Sequence, residues 1–142
     1  MTEQLAAALA AEEAAIYAYG VIGVRLRSGD EVNRARAAEQ EHRSRRDALV
    51  AKLAEARAGT APAPAAYQLP FEVTDRASAL RLAVHVEDGV AQAWRVLLPV
   101  TEAGDRTDAL SHLTDSAIRA TRWRRLAGVT PLTMAFPGRP DS

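Results

Sequence analysis

The chain has 142 residues, enough for one domain with a single well-buried core. Its 18 basic residues are matched by 18 acidic ones, so the formal charge is zero and the clustered positive excess that phosphate binding needs is missing; no nucleic-acid partner is expected. Cysteine is absent, which excludes disulfides, thiolate metal sites and cysteine nucleophiles.

Helix 1 is expected over 3–27, stopped by Ser28-Gly29. Alanine is the best intrinsic helix former, and AAALAAEEAA reads as helix from composition alone. Leu5, Leu9, Glu12, Ile16, Tyr19, Gly23 and Leu26 follow at alternating steps of four and three, the seam of nearly parallel packed helices. Opposite this seam, Ala14, Tyr17, Val21 and Val24 form an apolar strip where a surface helix normally carries a polar face. A homodimer through helix 1 is the expected cover, with the linker residues Tyr67, Leu69 and Phe71 as the alternative. No apolar run is read as reaching membrane-spanning length and no charged leader with a cleavage site is seen. A cytoplasmic protein without a membrane partner is therefore the expectation.

Helix 2 is expected over 31–57, with the seam Val32, Ala35, Glu39, His42, Arg46, Leu49 and Leu53. Its charged outer face would carry Arg34, Arg36, Arg43 and Lys52, and the cluster Arg43, Arg45 and Arg46 reads as intrahelical ion pairs. Residues 58–75 contain Pro62, Pro64 and Pro70 and cannot be helical throughout. Extended at ~3.1 Å per residue, such a linker covers about 55 Å, more than the roughly 40 Å of a 27-residue helix. It can traverse the bundle and let helix 3 run parallel to helix 2. Helix 3 is expected over 76–100, capped by Thr74 or Asp75 and bent or broken at Pro99, with the stripe Leu80, Val84, Glu87, Ala91, Trp94 and Leu98. Helix 4 is expected over 106–127 and an irregular tail over 128–142, with Met134 and Phe136 docked on the bundle. No segment alternates as a half-buried strand does. The expected fold is all-α, a single four-helix domain over 1–142 with one long crossover between helices 2 and 3.

Glu12, Glu39, His42 and Glu87 fall near the middle of three helices, each on an apolar seam. Glu39 and His42 form a Glu-x-x-His pair, the half-site signature of carboxylate-bridged metal proteins; a complete site needs a second such pair, which this chain lacks. His85 lies off the stripe and reads as solvated, and His112 as a helix-surface histidine.

The segments ALAAEEAAIYAYGVIG, EHRSRRDAL, LPFEVTDRASALRLAVHVEDGVAQAWR and DSAIRATRWR, with the AFPG tail, resemble the ferritin-like family of high-GC Gram-positive bacteria catalogued as a domain of unknown function. The resemblance covers nearly the whole chain and implies a ferritin-like four-helix bundle. In the wider superfamily, helices 1 and 3 each give one glutamate, and helices 2 and 4 each a Glu-x-x-His pair. Carried over, Glu12 matches helix 1, Glu39 and His42 match helix 2, Glu87 matches helix 3, and Tyr19 resembles a tyrosine often found beside the metals. Helix 4 departs from the pattern. Its nearest acid is Asp115, Ile118 stands where the histidine belongs, His112 comes in the wrong order, and Arg119 and Arg122 flank the stripe.

The expected reading is a metal-free bundle without a cofactor, a binding or scaffold protein whose carboxylates are neutralised in a buried polar network of Tyr19, Arg46, Asp115, Arg119 and Arg122. The alternative is one retained iron or manganese held by Glu12, Glu39, His42 and Glu87, with Asp115 as a further donor, in an oxidoreductase or oxidative-stress protein.

Overall fold

The computed structural model describes residues 1–140, so the last two positions of the tail lie outside the described residues. Among those residues there are four α-helices and no strand: α1 (Thr2–Gly23), α2 (Gly29–Glu55), α3 (Arg76–Leu97) and α4 (Ala103–Ala127), with a short 3-10 turn at Leu98–Val100.

Local chemistry sets each boundary. α1 stops at Gly23, four residues before the expected end, yet Leu26 still folds back into the core. Ser28 caps α2 by accepting from the Glu31 N–H at 3.1 Å. α2 ends at Glu55 because Arg57 enters the left-handed region (φ 56) and Ala58 N–H returns to the Leu53 carbonyl, satisfying the last turn before Gly59 is reached. Asp75 and Ser78 form a reciprocal capping box at the start of α3. Pro99 converts the end of α3 into the 3-10 turn, and the Thr101 hydroxyl donates to the freed Leu97 carbonyl at 2.7 Å. Gly128 (φ 70) closes α4.

Two apolar layers define the topology. One holds Leu5 and Leu9 from α1, Leu49 and Leu53 from α2, Trp94 and Leu97 from α3, and Leu113 from α4. The other holds Tyr19 and Ile22, Ala35 and Ala38, Leu80 and Ala83, and Trp123. The late part of α2 therefore sits level with the late part of α3, so these two helices run parallel, antiparallel to α1 and α4. The 58–75 linker carries the chain from one end of the bundle to the other. It docks through Leu69 and Val73 and through Tyr67, whose ring packs tilted against Tyr17 with centroids 5.2 Å apart. The linker thus covers part of the α1 strip; Ala14, Tyr17 and Val21 are half-buried, and Val24 stands 79% exposed. The Arg76 guanidinium donates to both oxygens of Glu31, each at 2.9 Å, tying the start of α3 to the start of α2.

Several sequence expectations need correcting. α1 is long and apolar enough to cross a membrane by length and composition, with a mean hydropathy of 1.4, although no spanning run was expected. In this bundle its core face carries the fully buried Glu12. Phe136 is not buried against the bundle but sits at its surface, 55% exposed, with the Arg139 guanidinium over its ring. The inward stripes of α2 and α3 are rotated by one residue at alternate positions. Ala38 and Arg45 point inward in place of Glu39 and Arg46, and Ala83 and Leu97 are fully buried beside Val84 and Leu98, which pack half-buried at the core's edge.

Close helix packing is not uniform around the bundle. Among the described residues no Cα of α2 comes within 8 Å of one in α4. That wide seam is spanned by long polar side chains, Arg45 to Ser116 and Asp115, and Lys52 to Asp105.

Candidate functional site, a buried imidazolium network

Between the two apolar layers lies a polar layer. Glu12, His42 and Glu87 are fully buried there, beside Tyr19 and Arg45. The His42 ring meets a carboxylate at each nitrogen: Nδ1 contacts Glu12 Oε2, and Nε2 contacts Glu87 Oε2 at 2.8 Å. Carboxylates only accept, so both contacts are satisfied at once only when both ring nitrogens carry hydrogen. Burial works against that charged form, but the hydrogen bonds and negative charges of Glu12 and Glu87 outweigh it and raise the His42 pKa from 6.5 to about 9. His42 is an imidazolium at neutral pH.

The remaining oxygens are also occupied. Trp94 Nε1 donates to Glu12 Oε1 at 2.7 Å, and Arg45 Nη1 lies 3.7 Å from the same oxygen. Tyr19 donates to Glu87 Oε2 at 2.9 Å, and Arg119 Nη1 donates to Glu87 Oε1 at 3.5 Å. Trp123 Nε1 in turn donates to the Tyr19 hydroxyl at 2.9 Å. The result is one chain, Trp94–Glu12–His42–Glu87–Tyr19–Trp123, drawn from all four helices. Burial, and next the Glu87 charge, push the Tyr19 hydroxyl well above the ordinary phenol range, keeping it a donor. For Glu87, burial raises the pKa, but the hydrogen bond and charge of His42 and the Arg119 charge more than offset it, and its carboxyl lies below the ordinary range. The most deeply buried groups, Glu12 and Glu87 against His42 and Arg45, balance at two negative and two positive charges.

This arrangement does not fit a metal. A ligating histidine needs one ring nitrogen free of hydrogen, and both His42 nitrogens serve carboxylates. No oxygen of Glu12 or Glu87 is without a donor. Glu39 lies outside the centre, 31% exposed and 3.7 Å from Arg43, because the α2 stripe passes through Ala38. α4 supplies Ser116 and Trp123 to the interior, while Asp115 is half exposed at the mouth of the α2/α4 seam.

Within the expected network, Tyr19 and Arg119 reach the centre. Arg46 does not; it pairs with Asp47 on the surface at 2.9 Å, and Arg45 takes the inner place, donating to Ser116 Oγ at 3.0 Å and Asp115 Oδ2 at 3.4 Å. Arg122 is exposed because Trp123 turns inward instead. Glu41, His112 and Asp115 bring one ligand atom each within 4.8 Å of one another. The Arg45 guanidinium lies 3.5 Å from Glu41 and 3.4 Å from Asp115, so a fixed cation already serves these acids. His112 rests on Trp94 with ring centroids 4.6 Å apart, and burial and the Arg45 charge hold its pKa down.

The family described as a domain of unknown function, DUF4439, matches residues 4–141. The chain belongs to the DUF4439 family. It is similar to rv2844, a conserved hypothetical protein from Mycobacterium tuberculosis. The crystal structure of that protein matches at a TM-score of 0.82 with 39% identity, over 87% of this chain and 94% of that one. No curated protein matches the sequence. In this DUF4439 chain, the residues that sequence reasoning left out of the network are Arg45, Trp94, Ser116 and Trp123. For Arg45 the signal is periodicity: with Ala35, His42 and Leu49 fixed at steps of seven, the intermediate seam positions are either 38 and 45 or 39 and 46. Only the first choice buries an apolar residue, Ala38.

Proposed function

We propose that this protein is a ferritin-like bundle that holds an ion network in place of a metal and acts as a binding or scaffold protein. The ferritin-like reading is supported by the long α2–α3 crossing and the parallel course of those two helices. The metal-free reading is carried by one observation, the engagement of both His42 nitrogens by buried carboxylates. A doubly hydrogen-bonded imidazolium and the Arg45 guanidinium supply the positive charge that a cation would otherwise bring to Glu12 and Glu87. With the oxygens taken and the charge balanced, the centre holds a proton and fixes the packing of four helices; it does not present an open coordination position to a substrate.

Elemental analysis of protein purified without chelator from iron- and manganese-supplemented cells tests this reading. Trace metal, together with no stoichiometric oxidation of ferrous iron added in air, is expected. Near-stoichiometric iron or manganese that disappears in His42→Ala would overturn it.

A further inference from the structure

Away from the polar centre, a groove of about 430 Å³ runs between α3, α4 and the 133–138 segment. Its volume lies within the range of small-molecule sites. Leu110 and Ile118 on its α4 rim are 53% and 46% exposed, and Met134 and Phe136 face them from the tail. The threonines of the α4 wall, Thr114 and Thr121, donate their hydroxyls to the carbonyls of Leu110 and Ala117 in their own helix. That wall therefore offers hydrocarbon.

The tail wall is built to close tolerance. Gly138 has φ +84, and a Cβ there would stand 2.9 Å from the Ala91 carbonyl oxygen and 3.0 Å from Arg95 Cβ. Arg95 Nη1 donates to the Pro137 carbonyl at 3.3 Å, pinning the segment from the other side. The AFPG segment, residues 135–138, thus makes one side of the groove.

Charge is unevenly placed along it. Arg124, only 7% exposed, closes the end nearest the C-terminus of α4, and Arg95 stands two turns along α3. Among the described residues Asp88 is the one acid in the lining; it pairs with Arg124 through Nη2, so the residual positive charge of the lining is that of Arg95. A guanidinium has five N–H donors, so the pair leaves others to face the groove. Burial pushes the Asp88 carboxyl above its ordinary range despite the Arg124 charge, which marks this end as poorly hydrated. From Leu110 to Arg124 the α4 wall extends about 21 Å at 1.5 Å per residue. An elongate apolar wall faced by a net positive charge is complementary to an alkyl chain ending in an anion.

We infer that this groove binds a free single-chain carboxylate, the alkyl chain lying along Leu110 and Ile118 and the carboxylate facing the Arg95 and Arg124 guanidinium groups. The inference rests on the binding-protein reading but not on the metal-free centre, so failure here leaves the metal analysis standing, and the reverse. Calorimetric titration of the full chain with dodecanoate, kept below its micelle concentration, is the test. One saturable site per chain is expected. Binding of dodecan-1-ol should be at least tenfold weaker, because it lacks the charge. Ile118→Glu, which places a carboxylate on the exposed rim, should weaken dodecanoate at least tenfold with an unchanged circular-dichroism melt. Three results overturn the inference: no saturable heat, equal affinity for the alcohol, or unchanged binding in both Ile118→Glu and Ala117→Trp. Association with phosphatidylglycerol vesicles without binding of free dodecanoate overturns it as well.

Discussion

Replacing His42 by glutamine removes the cation that bridges two fully buried carboxylates. The magnitude follows from two independent routes. An ordinary histidine titrates at 6.5 and His42 at about 9 in the fold; at ~1.36 kcal/mol per pH unit, the difference corresponds to about 3 kcal/mol. Removing one partner of a buried ion pair costs roughly 3–5 kcal/mol, the same order. The sign is fixed by linkage. Because the folded value lies above the unfolded one, the stabilisation is complete below pH 6.5 and is lost as pH rises through about 9. Urea unfolding followed by fluorescence of Trp94 and Trp123, both hydrogen-bonded within the network, should show wild-type stability falling by about 3 kcal/mol between pH 6.5 and 9.5. The His42→Gln variant should be less stable at pH 7 and should lack that fall; comparing the two removes the contribution of other groups titrating in the same window. Imidazole nitrogen chemical shifts should titrate near pH 9. A flat wild-type profile, or an equal slope in the variant, would refute the imidazolium bridge.

Arg45→Met should cost about 3–5 kcal/mol, since it strips a buried cation from beside Glu12, whereas Arg46→Met should stay within ~0.5 kcal/mol; equal effects in urea unfolding would contradict the observed α2 register. Glu39→Ala should likewise change stability by less than about 0.5 kcal/mol and leave the metal content as in wild type. Trp123→Phe keeps an aromatic ring but removes the donor to Tyr19 and leaves space where the second ring stood, and the unfolding midpoint should report a loss of at least about 1–2 kcal/mol. Gly138→Ala forces a side chain into a left-handed residue at a cost of roughly 1–2 kcal/mol; the Arg139 amide, which donates to the Phe136 carbonyl, should exchange its hydrogen faster than in wild type, and unchanged exchange would show that the tail tolerates the Cβ.

How much of this could be read from the sequence depended on how many residues carried each signal. The helices and the crossing rest on long aliphatic runs, three prolines and a linker long enough to span the bundle, and the arrangement of Tyr19 and Ile22 opposite Ala35, Leu80 and Trp123 agrees with that reading. The centre rested on single residues, where a one-residue rotation changes the answer. Glu39 and His42 are about 60° apart around a helix of 3.6 residues per turn, so a narrow interior face accommodates His42 with only one of its neighbours. Packing selected Ala38, and Arg45 followed it inward. Trp94 and Trp123 look like apolar filler in a seam; their indole N–H groups join the network only because Glu12 and Tyr19 meet them across the core. The wide α2/α4 separation had no sequence signal of its own, since it follows from Arg45, Ser116 and Lys52 spanning a gap that shorter apolar residues would have closed.

The same energetics explain why a network of this kind would persist after metal chemistry is gone. Two carboxylates left by departure of a cation repel each other and need compensation in a low-dielectric interior. On the reading proposed above, that compensation comes from His42 and Arg45, which bring two positive charges to Glu12 and Glu87. An apolar replacement of the whole group could be equally stable or more so. It would, however, require the acids and their cations to change together, along with Tyr19, Trp94 and Trp123, whose polar atoms depend on them. Each single step leaves a buried charge or donor without its partner, at roughly 1–5 kcal/mol, a large share of the 5–15 kcal/mol that holds a typical domain together. Glu39 stands outside this constraint: half out of the core and paired loosely with Arg43, it is free to vary where Glu12, His42 and Glu87 are locked to one another. The prediction for Glu39→Ala and that for His42→Gln therefore test one proposition from opposite sides, that the interior is held by charge pairing and not by the spacing of a Glu-x-x-His pair.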